Sequence, residues 1–177
     1  MKPHSLRLVL VEFLAVLFIL CTGCSNSSDT SGALRHYPVK SLEGLIDQRG
    51  VEFDRDASSD GNGSLLIHAQ QPMTVHLYET GDIDVDNARL EYRAKIKTKD
   101  VKGRVYLEMW CRFPGKGEYF SRDLGSPVTG TRDWSGEMTP FFLKKGENPE
   151  NVKLNLVVDG VGTVWIDDIH LIQSPLH

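Results

Sequence analysis

The chain has 177 residues, with 20 basic and 24 acidic side chains, a net charge of −4, and 40% hydrophobic residues. That length fits one domain plus appendages. The mild acidity excludes the basic footprint that nucleic acid or an anionic lipid surface would require of a partner.

The N-terminal residues form the first appendage. Lys2 and Arg7 give a short basic start, and "LRLVLVEFLAVLFILCTGC" (6–24) then runs mostly apolar, interrupted by Glu12. This length and pattern suit a membrane span or a secretory leader with a small-residue end. "LCTGC" (20–24) resembles the lipobox of bacterial lipoproteins, although Cys21 stands where an aliphatic residue is usual. The resemblance implies a signal peptide over 1–23, cleaved after Gly23, and attachment to a membrane through a lipidated Cys24. Without cleavage the same stretch would serve as an anchor. Ser25 follows the cysteine where Asp would signal retention, which resembles an outer-membrane address in a Gram-negative envelope. Removing residues 1–23 takes away Lys2, Arg7 and Glu12 and leaves 18 basic and 23 acidic residues, a net charge of −5. Cys111 is then the one cysteine free to pair, so no internal disulfide forms, and a small apolar core role suits it better than nucleophilic chemistry. "SNSSDTSGALRHYP" (25–38) has no apolar period, so 24–40 reads as a flexible tether.

From 41 to 177 the signals are those of strands. "SLEGLIDQRG" (41–50) allows at most a helical turn. "SLLIHAQ" (64–70) and "MTVHLYE" (73–79) flank a Gln-Pro turn. "DIDVDN" (82–87) lacks the glycine and distal glutamate of an EF-hand loop and reads as a solvated edge or turn. "ARLEYRAKIK" (88–97) sets Ala88, Leu90, Tyr92, Ala94 and Ile96 on one face and Arg89, Glu91, Arg93, Lys95 and Lys97 on the other. "RVYLEMWCRF" (104–113) sets Val105, Leu107, Met109, Cys111 and Phe113 against Tyr106, Glu108, Trp110 and Arg112. Strict period two over ten residues predicts half-buried antiparallel strands. "VKLNLVVDG" (152–160) and "GTVWIDDIHLI" (162–172) complete the set, with "DGVG" predicted as a hairpin turn. Seven or eight short strands with turns between them predict an all-β sandwich.

Four segments in order carry a family resemblance. "EFDRDASSDGNGSLLIHA", "LEYRAKIKT", "VTGTRDWSGEMTPFFLKKG" and "GTVWIDDIHLI" are similar to successive segments of jelly-roll carbohydrate-binding modules, the galactose-binding-like fold. The likeness spans about residues 50–174. It implies two antiparallel sheets, Trp134 packing under a turn, and a structural calcium held between the first strands and the last. Carried over by position, the last-strand ligand is Asp167, with Asp54, Asp56 and Asp60 as further candidates and carbonyls of 61–64 completing the oxygen set. Period two places Asp167 inward with Trp165, Ile169 and Leu171, and Asp168 outward with His170. The alternative for Asp167 is a cap on a neighbouring turn through backbone N–H groups.

Catalytic signatures are missing from the sequence: it has no His-Glu-x-x-His, Gly-x-Ser-x-Gly, phosphate-cradling Gly loop or Cys-x-x-Cys. His68 and His76 have no third ligand at metal spacing. Glu91 and Glu108 could meet on one face as a glycosidase pair, but cross-strand ion pairs with Arg93 and Arg112 explain them more simply. The chain is therefore not expected to be an enzyme. In the resembled modules one sheet face stacks aromatics on sugar rings, which points to Tyr106, Glu108, Trp110 and Arg112, with Glu91 and Arg93 beside them, as ligand contacts. One alternative is that "PGKGEYFSRD" (114–123) covers Trp110 as a minor core, and another is that the face docks a partner protein. The expected function is recognition of a polysaccharide or glycoconjugate by an envelope lipoprotein, or an accessory protein-interaction role there without sugar binding.

Overall fold

A computed structural model describes residues 32–176, and all its regular elements are strands. They are β1 (Gly32–Tyr37), β2 (Val51–Asp54), β3 (Ser64–Ala69), β4 (Met73–Gly81), β5 (Ala88–Phe113), β6 (Gly117–Arg122), β7 (Val128–Leu143) and β8 (Asn151–Ser174). Every pairing is antiparallel.

β5 is 26 residues long and β8 is 24, and they pair along nearly their whole length. At about 3.3 Å per residue, a straight strand of that size would span roughly 85 Å, twice the width of such a domain. Both strands therefore bend. The bend falls where the ladder slips between Lys99 and Lys102, opposite Val161 to Thr163. Gly103 and Gly160 face each other there, both at positive φ. A Cβ on Gly103 would lie 2.1 Å from the Asp159 carbonyl oxygen, and one on Gly160 2.0 Å from that of Lys102. Only glycine lets the two backbones approach so closely.

The bend divides one continuous sheet into two layers. The first comprises β2, β3, the C-terminal half of β8, the N-terminal half of β5, and β7, with β1 extending the β3 position along β8. The second comprises β4, the N-terminal half of β8, the C-terminal half of β5, and β6. Leu90, Tyr92, Ala94 and Ile96 from one half of β5 share a core with Val105, Leu107, Met109 and Cys111 from the other. The alternation read from the sequence thus sorts both halves correctly, and Cys111 is a core residue whose thiol burial pushes up to about 12. The architecture is an all-β jelly-roll sandwich.

Three local expectations change. "DGVG" is no hairpin turn: both of its flanks pair with β5, so "VKLNLVVDG" and "GTVWIDDIHLI" form one bent strand. Residues 32–37 of the supposed tether form β1, because Arg35 donates to Thr80 Oγ1 (2.9 Å) and the Gly81 carbonyl (3.1 Å), and Tyr37 stacks on Tyr78 with ring centroids 4.1 Å apart. The leader, Cys24 and the chain to Ser31 lie outside the described residues. Finally, a bulge at Asp168, with φ of 51°, resets the alternation of β8. Val164, Ile166, Ile169 and Leu171 face the core, while Asp167 lies beside Trp165 on the outer side.

Candidate functional site

The outer face of the second layer gathers polar and aromatic groups from all four of its strands. β5 supplies Glu108 and Trp110, β8 Lys153 and Asn155, β4 Thr74 and His76, and β6 Glu118 and Arg122; these line an open groove of about 430 Å³. The register makes this inevitable. Glu108 stands opposite Asn155 on one side and Arg122 on the other, Trp110 opposite Lys153 and Phe120, and His76 opposite Asn155. Period two then turns all these side chains away from the core.

Glu108 is the hub. It is buried, yet it accepts hydrogen bonds from Trp110 Nε1 (2.7 Å), Asn155 Nδ2 (2.9 Å) and Arg122 Nε (2.5 Å). Burial pushes its carboxyl up, but the donors from Asn155, Trp110 and Arg122 outweigh that and hold it below the ordinary glutamate value. It is thus an ionised anchor. The Asn155 side-chain oxygen in turn meets His76 Nδ1 at 3.1 Å, so the network crosses all four strands of the layer.

Trp110 remains half-buried, its indole N–H held by Glu108 and its ring tilted against Phe120 with centroids 4.9 Å apart. Phe120 is 51% exposed and carries the Arg122 guanidinium 4.4 Å from its ring centroid. The segment expected to cover Trp110 instead runs alongside as β6 and widens the aromatic surface. What the structure offers is a pair of aromatic rings, 44° from coplanar, next to fixed charges, which suits a polyhydroxylated ligand with an apolar face.

The expected contact residues divide. Tyr106, Glu108, Trp110 and Arg112 do share this face. Tyr106 is buried towards the bend, however, outside the groove lining, and Arg112 sits at the other end with its Nε 3.0 Å from Glu150. Glu91 and Arg93 belong to the other layer, because the bend of β5 turns its two halves to opposite sides of the core. Glu91 is buried between Arg89 and Arg93 and accepts a bond from Ser174 Oγ at 2.7 Å. Burial pushes its carboxyl up, and Ser174 with the two guanidinium groups overrides that and holds it low. A carboxylate dyad of Glu91 and Glu108 does not form. Sequence reasoning missed Phe120, Arg122, Asn155 and His76. The Pro-Gly-Lys-Gly turn before "EYFSR" was the available signal for β6.

The acids expected around calcium are engaged otherwise. Asp167 Oδ2 accepts from Ser59 N (2.8 Å), Ser59 Oγ (2.8 Å) and Ser58 Oγ (3.5 Å), and its Oδ1 from Asp168 N. Asp54 accepts from Asp56 N, Ala57 N and Trp165 Nε1, and Asp60 from Asn62 and Ser58. Asp56 adds no carboxylate that converges with these. Among the described residues, one group of three His, Cys, Asp or Glu side chains stands at metal spacing, and it includes none of Asp54, Asp56, Asp60 or Asp167. The contacts of Asp167 are those of the turn-capping alternative, its carboxylate accepting from the Ser58–Ser59 loop. Trp134 lies within β7 and is half-buried.

No protein-family model matches the chain, and no curated protein matches it in sequence. Solved structures do resemble its fold. The CBM22-1 xylan-binding domain of Paenibacillus barcinonensis Xyn10C superposes with a TM-score of 0.60 at 12% identity, covering 85% of this chain and 100% of that one. A second module of carbohydrate-binding family 16 gives 0.55 at 13%, covering 75% and 96%. The Stig cyclase Fisc from Fischerella sp. TAU gives 0.51 at 13%, covering 86% and 93%, so the same fold also hosts an enzyme. Fold likeness and strand topology together identify the described domain as a jelly-roll β-sandwich like that of the carbohydrate-binding modules.

Proposed function

We propose that this protein is a non-catalytic recognition module that binds carbohydrate on the outer face of its second layer, held at the cell envelope by a lipid on Cys24. The observation that carries the reading is the groove in which half-buried Trp110 stands beside the ionised Glu108 and its donors, with the exposed Phe120 tilted against the Trp110 ring. Sugar rings bury an apolar face on such aromatic rings while charged and amide groups take their hydroxyls. Glu108 is fully engaged by structural donors. It therefore serves to orient Trp110, Asn155 and Arg122, which supports a binding role over hydrolysis. The "LCTGC" pattern and Ser25 support lipid attachment, to the outer membrane in a Gram-negative host.

The second reading is a protein-interaction module, favoured by the exposed Tyr119 and Phe120 along β6. Screening the protein against an array of plant and bacterial polysaccharides separates the two. Retention on one or more β-linked polymers, competed by the soluble oligosaccharide, supports carbohydrate recognition. Co-purification of a defined envelope partner that no sugar displaces, with an empty array, supports the second reading.

A further inference from the structure

A separate cluster lies at the outer edge of the first layer, where β1 meets β8. The register sets His36 directly opposite His170, and their rings stack with centroids 4.1 Å apart and planes 4° from parallel. Asp168 lies two residues before His170 and shares its outer face, as period two requires, while the bulge at Asp168 (φ 51°) lets Ile166 and Ile169 on either side both face the core. Both imidazoles address one carboxylate oxygen: Asp168 Oδ1 is 2.7 Å from His170 Nε2 and 3.4 Å from His36 Nε2. The three ligand atoms all lie within 4.8 Å of one another.

We propose that His36, Asp168 and His170 form a binding site for a borderline divalent transition-metal ion, zinc in the first instance. Two imidazoles and one carboxylate are the donor set that favours zinc over calcium or magnesium, which prefer all-oxygen shells. Ligand atoms at zinc bonding distance around a tetrahedron stand about 3.3 Å apart. The His36–Asp168 separation already meets that spacing, and the His170–Asp168 hydrogen bond needs to open by only about half an ångström. All three side chains are partly exposed, so the rings are free to swing out of their stack to aim both lone pairs at one ion. Arg93, the β5 neighbour of His170, is turned onto Glu91 and leaves the carboxylate to the imidazoles. The open coordination position would face solvent or the adjoining groove of about 460 Å³, which Asp168 and His170 border together with Lys95 and Glu137. A bound ion would clip β1, the first described strand, to β8, the last.

The test uses the full chain, purified in detergent without an affinity tag and stripped with chelator. Zinc titrated by calorimetry is expected to bind saturably with one ion per chain and to raise the melting midpoint by several degrees, whereas calcium does neither. His36→Ala and His170→Ala, both at partly exposed positions, are each expected to weaken zinc binding at least tenfold and remove the midpoint shift. His68→Ala, on the exposed side of β3, is expected to retain both. Zinc binding that survives in His36→Ala and His170→Ala would overturn the proposal and place the ion on other groups, such as the N-terminal cysteines. So would an absence of saturable binding in a chain whose melting transition is intact.

Discussion

Two buried carboxylates illustrate how position decides what a residue does. Glu108 and Glu91 sit on one strand, each buried and each held ionised by donors, but Glu108 belongs to an open groove and Glu91 to a closed clamp. Replacing Glu108 by Gln leaves an amide oxygen for Trp110 Nε1 and Asn155 Nδ2, which share Oε1, but sets an NH2 donor against the Arg122 guanidinium in place of Oε2. We expect it to cost about 2–4 kcal/mol in urea denaturation, since the Arg122 donor loses its partner in a buried site. The pH dependence follows in sign. A carboxyl held low in the folded state contributes stability above its unfolded value and loses it as the pH falls through the folded value. Wild-type stability should therefore fall below about pH 4.5, the ordinary glutamate value, and Glu108→Gln should fall less steeply there. Tyr92 gives the opposite case. Its hydroxyl is buried without a hydrogen-bond partner among the described residues, so Tyr92→Phe should be neutral or stabilising by up to about 1 kcal/mol in the same assay.

At the scale of elements, the alternation in 88–97 and 104–113 was legible because side chains on a half-buried strand must obey period two whatever the topology. What period two does not encode is continuity. Asp100, Gly103, Gly160 and Gly162 look like turn residues, and they are, but they bend two paired strands together and do not reverse either one. That single misreading put Glu91 and Glu108 on one face and created a hairpin that does not exist. A bulge at Asp168 had the same effect locally, moving Asp167 to the outer side. β1 was hidden because its polar composition matches a tether, while its ordering comes from distant Thr80, Gly81 and Tyr78. The bend is also the weakest place to substitute. Gly103→Ala meets both a positive φ and a carbonyl oxygen 2.1 Å from the new Cβ, so a loss above about 2 kcal/mol is expected, seen as a melting midpoint lowered by roughly 4 °C or more.

At the scale of the whole molecule, the proposed lipid on Cys24 would hold a sandwich with one decorated face at a membrane. Attachment through Cys24 predicts that Cys24→Ala moves the protein from the membrane pellet to the soluble or unprocessed fraction and abolishes incorporation of labelled palmitate. Retention in the pellet with unchanged labelling would remove the anchor from the account. The central claim concerns the groove, and titration of the full chain with an oligosaccharide of the polymer it retains tests it most directly. Trp110→Ala is expected to weaken binding at least tenfold, about 1.4 kcal/mol, with its melting transition preserved. Phe142→Ala, 57% exposed on β7 in the other layer, is expected to leave affinity unchanged. Equal affinity in wild type and Trp110→Ala, or a loss confined to Phe142→Ala, would contradict the assignment of the groove as the binding face.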